Sequence, residues 1–214
     1  SPKVRDTIVS FYGLKQEKVP MIYNGVDLGK CCPKTQYGLA KPANLLHIGR
    51  FNEQKNHKGL LEAFAQVLKT HPDCRLNLIG DGELLEEMKG YVQTLGIQEK
   101  VEFLGNQSNI YPFLQQSDIF LLPSKFEGMP MTIIEAMGTG LPIVASAVGG
   151  VPDMLEDNVS GMLVSCDPEQ TAQAVRQLLD KEDLREKLGT NALAESEKFS
   201  AEHMARCYCD VYTN

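Results

Sequence analysis

The sequence predicts an α/β fold, a doubly wound parallel sheet with helices on both faces and a helical C-terminal extension. Three observations predict it. Short apolar runs alternate with amphipathic stretches along most of the chain. The runs are apolar throughout rather than every second residue, the pattern of strands covered on both sides. Strand–helix–strand units follow one another, which favours parallel strands joined by helical crossovers.

Taken in order, Ser1–Tyr12 reads as an amphipathic opening helix. Strands are expected at Val19–Tyr23, Asn44–Ile48, Arg75–Ile79, Val101–Leu104, Ile119–Leu122, Pro142–Ala145 and Gly161–Val164. Helical periodicity fills Lys58–Lys69, Glu83–Leu95, Ile110–Gln116, Met131–Met137 and Val151–Leu155. From Pro168 the chain turns almost purely helical: a helix with Ala174, Val175, Leu178 and Leu179 on its apolar face, then Asp183–Leu188, then Ser200–Tyr212. Lys30–Lys41 reads as an exposed loop. No internal repeat, low-complexity linker or second core is visible, so 1–214 is expected to be one domain.

The gross numbers narrow the function. The 214 residues are 43% hydrophobic and 23% charged, ordinary globular values. No apolar stretch approaches the roughly 20 residues a membrane span needs. The net charge of −7 and the lack of a basic run speak against nucleic acid. An anionic ligand must then be held by a few placed cations and backbone amides. The six cysteines form no Cys-x-x-Cys pair and the four histidines are scattered, so no metal motif exists and reduced cytosolic thiols are expected. The chain has no initiator Met and no signal peptide, which suggests that it starts inside a longer gene product.

In such sheets ligands bind where strand ends meet helix N-termini, so the loops after the strands carry the candidates. After Asn44–Ile48, Arg50 and Lys55 flank the start of a helix, a planar fork and a point charge suited to a diphosphate. Asn56 is expected to cap that helix. After Arg75–Ile79, Gly80-Asp81-Gly82-Glu83-Leu84-Leu85 holds two glycines of a dinucleotide fingerprint but Leu85 in place of the third. The following strand ends in Gly105-Asn106 without a ribose-binding acid, which disfavours NAD. Gly80 and Gly82 either serve a tight turn or let backbone approach a ligand.

The loop after Ile119–Leu122 is the richest. Pro130 is expected as the first helical residue, with Glu127 just before the helix and Glu135 in its second turn. The amides of Gly128, Met129 and Met131 would be free helix-start donors. Carboxylates beside an anion site make sense as acceptors for sugar or ribose hydroxyls. A hydrolase would need its two carboxylates facing each other across a bond, which one loop and helix start do not offer.

Taken together and in order, these residues resemble the C-terminal domain of family 4 (group 1) retaining glycosyltransferases, one Rossmann-like half of the GT-B fold. The likeness is carried by Asn24-Gly25-Val26-Asp27, Gly49-Arg50 with Lys55, Gly80-Asp81-Gly82, Glu127 and Glu135 with seven residues between them, Ala136-Met137, Gly140-Leu141-Pro142-Ile143-Val144-Ala145, Gly149-Gly150-Val151-Pro152-Asp153 and Asn158–Val164. The resemblance implies transfer of a hexosyl-type sugar from a nucleotide diphosphate to an acceptor hydroxyl with retention. Arg50 and Lys55 would hold the diphosphate and stabilise the departing nucleotide, Glu127 would position the donor sugar, and Glu135 would accept from the ribose. Backbone from Gly128 through Met129, Pro130 and Met131 to Thr132 would line phosphates and sugar. Gly80 and Gly82 would approach the donor, and Asn106 would lie by the base. No metal or other cofactor is expected, since the cations replace a metal.

A UDP-sugar is the favoured donor, with a GDP-sugar as the alternative. A saccharide or lipid-linked saccharide acceptor would bind an N-terminal domain that the chain lacks, leaving this domain nearly inactive alone. The final helix would cross back to that domain, with Met204, Cys207 and Tyr208 partly exposed. The location implied is cytoplasmic, peripheral to the inner membrane face in the full-length protein. A nucleotide-sugar 2-epimerase of the same fold and a non-catalytic binding module are the alternatives.

Overall fold

The computed structural model describes residues 2–213. Among these residues six strands, β1 (Ala43–Ile48), β2 (Cys74–Ile79), β3 (Val101–Gly105), β4 (Ile119–Leu122), β5 (Ile143–Ser146) and β6 (Met162–Val164), form one sheet in the order β3-β2-β1-β4-β5-β6. Every pairing is parallel. The order runs outward in both directions from the β1/β4 junction, so the loops after β1 and β4 part there and open a crevice.

Among the described residues eight α-helices accompany the sheet: α1 (Pro2–Tyr12), α2 (His57–Leu68), α3 (Leu85–Thr94), α4 (Tyr111–Gln116), α5 (Met131–Gly138), α6 (Pro168–Asp180), α7 (Glu182–Ser196) and α8 (Ala201–Thr213). Alternate strand residues enter opposite cores, because successive side chains point to opposite faces. Leu45, Leu76 and Leu121 pack with Leu60, Phe64, Met88 and Leu178. Leu46, Phe120 and Leu122 pack with Leu114, Ile133, Ile134 and Met137. Burial on both faces is why these strands read as unbroken apolar runs.

The structure departs from the sequence reading in a few elements. Val19–Tyr23 is not a strand. Pro20 has no amide to donate, and this segment's nearest sheet-like contact is a single parallel bridge from Val26 to Ser200. Val151–Leu155 is only a 3-10 turn over Val151–Asp153. The helix expected at Asp183–Leu188 runs on to Ser196. Of the opening helix Ser1–Tyr12, Ser1 lies outside the described residues. Lys30–Lys41 has no strand or α-helix, as expected, but it is docked: Cys31 is buried, its thiol accommodated by Gly138. Gly189 of α7 meets Gly140 backbone so closely that a Cβ would overlap the Gly140 carbonyl oxygen. α8 has no buried residue, and its Tyr208, Val211 and Tyr212 are exposed. No helix among the described residues is long and apolar enough to cross a membrane.

Candidate functional site

The loop after β1 is shaped by its own short-range bonds. The Gly49 amide donates to Ile79 O and the Phe51 amide to Asp81 O, which ties this loop to the one after β2. The Asn52 side chain accepts from the Lys55 amide at 3.1 Å and closes a turn over Glu53–Lys55. Asn56 does not cap α2 with its side chain. Its backbone is left-handed, at φ 54°, a conformation Asn tolerates, and its Nδ2 donates across the crevice to Pro123 O at 3.0 Å. This geometry turns Lys55 towards the β4 loop.

Lys55 Nζ lies 2.6 Å from Glu127 Oε1, with the side chains 15% and 5% exposed. Gln54 secures the other side of the carboxylate, donating from Nε2 to Phe126 O at 3.0 Å and to Glu127 Oε2 at 3.5 Å. Arg50 is different. Its guanidinium is open to solvent and pairs with Glu83 at 3.3 Å. Both cations expected to receive an anion therefore sit against carboxylates. Those pairings join residues 72 and 33 positions apart, so spacing within one loop cannot reveal them.

Gly80 and Gly82 have φ of 139° and 155°. A Cβ on Gly80 would overlap the Gly49 carbonyl oxygen, and one on Gly82 the Phe51 carbonyl oxygen. Both glycines thus let the backbone of the β2 loop pack directly on that of the β1 loop. They also line an open groove of about 640 Å³ together with Arg50, Asp81, Asn106, Gln107 and Ile110. Gln107 Nε2 donates to Leu104 O at 2.6 Å, which fixes the loop after β3 at the groove's far end.

Pro130 precedes α5 rather than opening it, and Met131 is the first helical residue. Among the described residues no protein group accepts from the amides of Gly128, Met129, Met131 or Thr132. The Thr132 hydroxyl is likewise buried without a protein partner. These groups lie at or just before the start of a helix, where partial positive charge gathers. The Met129 Sδ accepts the Asn24 amide at 3.3 Å, so its thioether is committed to the Asn24 backbone. Glu135 is half-buried in the second turn, and burial pushes its pKa up to about 7. Tyr111 titrates above its ordinary range, through burial and then through the charge of Glu135.

Sequence reasoning missed a pair of histidines beneath this site. His47 and His57 are both buried, with ring centroids 4.7 Å apart, and His57 stacks on Phe51 at 3.9 Å. His47 Nδ1 lies 2.8 Å from Leu121 O. A carbonyl only accepts, so Nδ1 carries the proton. His47 Nε2 and both nitrogens of His57 have no protein partner. Burial pushes the pKa of His47 down to about 4 and of His57 to about 2. Both rings are neutral below a site rich in cations, which spares Lys55 a like charge.

Residues 34–195 match the family described as glycosyl transferases, group 1. The chain belongs to this family. Its relatives within the group include the N-acetyl-alpha-D-glucosaminyl L-malate synthase of Bacillus anthracis, 32% identical over 84% of this chain and 48% of the relative. The UDP-Gal:alpha-D-GlcNAc-diphosphoundecaprenol alpha-1,3-galactosyltransferase of Escherichia coli is 34% identical over 69% of this chain and 41% of its own length. The chain thus spans about half the length of the curated relatives it matches. Among solved structures, Anabaena Alr3699/HepE in complex with UDP superposes with a TM-score of 0.84 at 23% identity, over 94% of this chain and 59% of that one. Among the described residues no cluster of three His, Cys, Asp or Glu side chains could hold a metal ion.

Proposed function

We propose that this domain binds the nucleotide-sugar donor of a retaining, hexosyl-type glycosyl transfer, and that a preceding domain of the full-length protein binds the acceptor. The observation that carries the reading is the meeting of Lys55 and Glu127 at the β1/β4 junction, beside unpaired amides at the start of α5. A diphosphate entering there replaces Glu127 on Lys55 and Glu83 on Arg50. Two cations and the helix start then neutralise the charge that grows on the leaving phosphate, transition-state stabilisation by preorganised donors with no metal needed.

The exchange releases Glu127, which accepts from hydroxyls of the donor sugar held against Gly128–Thr132. Glu135 accepts from the ribose. With its pKa near neutrality, hydrogen bonds from two hydroxyls favour its ionised form. The base occupies the groove between Gly80, Gly82 and Asn106. UDP is the favoured nucleotide, supported by the names of the Escherichia coli relative and the Anabaena structure, with GDP as the alternative. The name of the Escherichia coli relative also supports a lipid-linked saccharide acceptor. That acceptor would hold the full-length protein at the cytoplasmic face of the membrane.

Titration calorimetry with UDP tests the reading. Wild-type protein is expected to bind, and Arg50→Ala with Lys55→Ala to weaken binding by at least about tenfold, the loss of one or two charge-assisted contacts. Unchanged UDP affinity in the double variant refutes the diphosphate assignment. A thermal-shift series with UDP-, GDP- and ADP-sugars identifies the base.

A further inference from the structure

The loop after β5 reaches the same site without a side chain. β4 and β5 pair side by side through Phe120–Ile143, Leu121–Val144 and Leu122–Ala145, so the loops that follow them emerge as neighbours. Gly149 has a left-handed backbone at φ 57°, and a Cβ there would overlap the carbonyl oxygen of Glu127. The carbonyl carbon and amide nitrogen of the same Glu127 come next, at 2.8 and 3.4 Å. One residue on, the Gly150 amide donates to Gly128 O at 3.0 Å. Gly149 and Gly150 therefore hold the main chain of Glu127–Gly128, while Gln54 and Lys55 hold its carboxylate.

We infer that Gly149 is a positioning residue: bare backbone at this point lets the β5 loop seat the Glu127 main chain so that its carboxylate stands at Lys55 before the donor enters and meets the donor sugar once the diphosphate takes its place on Lys55. The clamp itself is a matter of geometry. Its consequence for the sugar rests on the role proposed above for Glu127. A side chain at 149 has two separable effects. The left-handed backbone disfavours most residues but accepts Asn, whereas the collision with Glu127 excludes every Cβ, in a site whose backbone partners cannot swing away.

The test is a double-mutant cycle of Lys55→Met and Glu127→Gln, read by urea unfolding, in wild-type, Gly149→Ala and Gly149→Asn backgrounds. In the wild type the coupling is expected to be about tenfold in the unfolding equilibrium constant. It should fall below about twofold in both Gly149 variants. Coupling retained in either variant overturns the inference, since Asn would then show that backbone conformation alone mattered. If neither variant folds, amide exchange in the unchanged protein decides. The clamp predicts that the Gly150 amide exchanges at least about tenfold more slowly than the Gly128 amide, and equal rates overturn it. For the sugar, saturation-transfer NMR with UDP-glucose should show the sugar-to-uracil ratio falling at least about twofold in folded Gly149→Ala, and an unchanged ratio overturns the sugar-side role. The Arg50/Lys55 calorimetry stands apart from all of these, so the donor reading can fail while the clamp stands, or the reverse.

Discussion

Lowering the pH from 7 to 5 should loosen this domain through the two histidines buried under the β1 loop. In the folded protein His47 and His57 stay neutral over that range, held down to about 4 and about 2 by burial. In the unfolded chain each has an ordinary pKa of about 6.5 and takes up a proton. Folding must then expel those protons, so stability is intact above about 6.5 and falls as pH drops. Each ring contributes a loss of about 2 kcal/mol between pH 7 and 5, about 4 kcal/mol for both.

Glu135 works in the opposite sense. Its folded pKa of about 7 means that the fold takes up a proton which the unfolded carboxylate does not. The measurement therefore belongs in Glu135→Gln protein, by urea unfolding at fixed ionic strength. Adding His57→Phe should halve the pH dependence. It should leave stability at pH 7 unchanged or raised, because the new ring keeps the stack on Phe51 and removes two unpartnered nitrogens. The reasoning is refuted if Glu135→Gln protein loses less than about 1 kcal/mol between pH 7 and 5, or if His57→Phe leaves its slope untouched.

Two further outcomes follow from the packing of α7. Arg185 is 4% exposed and donates to the carbonyls of Tyr37, Leu178 and Leu179. Arg185→Met should cost about 3 kcal/mol or more in urea unfolding, since the acceptors are left unpaired in the interior. Gly189→Ala should cost about 1–3 kcal/mol, measured by the shift in unfolding midpoint, because the new methyl meets the Gly140 carbonyl and the Tyr37 ring with no space to relax into.

What could be read from the sequence divides along physical lines. The central strands were legible because burial on both faces leaves continuous apolar runs, and Ile119–Leu122 coincides with β4 to the residue. Val19–Tyr23 has the same character and is no strand, because apolarity signals cover without saying what provides it. α7 runs on past the expected Asp183–Leu188, with Gly189 inside the helix as a close packing point against the Gly140 backbone, a contact between segments far apart in the chain. In the site, Arg50, Lys55, Glu127 and Glu135 were legible as charges placed by loop and helix spacing. The partners that restrain them, Gln54, Glu83 and Gly149, were not, since their significance lies in contacts between loops far apart in the chain. The histidine pair was passed over because a lone His carries no pattern.

The reversal of strand order at β1 and β4 also divides the chain into separable inheritances. Arg50, Lys55, Gly80 and Asn106 all precede α4, while Glu127, Glu135 and Gly149 all follow it. A single genetic crossover within Tyr111–Gln116 would exchange every residue assigned to the base together with the two cations, and leave every residue assigned to the sugar in place. The seam that such a chimera must satisfy includes the β1/β4 pairing of Leu45 with Ile119 and Leu46 with Phe120, the packing of α2 on α6, the docking of Cys31 and Tyr37 against Gly138, Arg185 and Gly189, and the Lys55–Glu127 contact. On the roles proposed above, base preference and sugar preference are encoded on opposite sides of α4, and the Lys55–Glu127 ion pair is one of the contacts where they must agree.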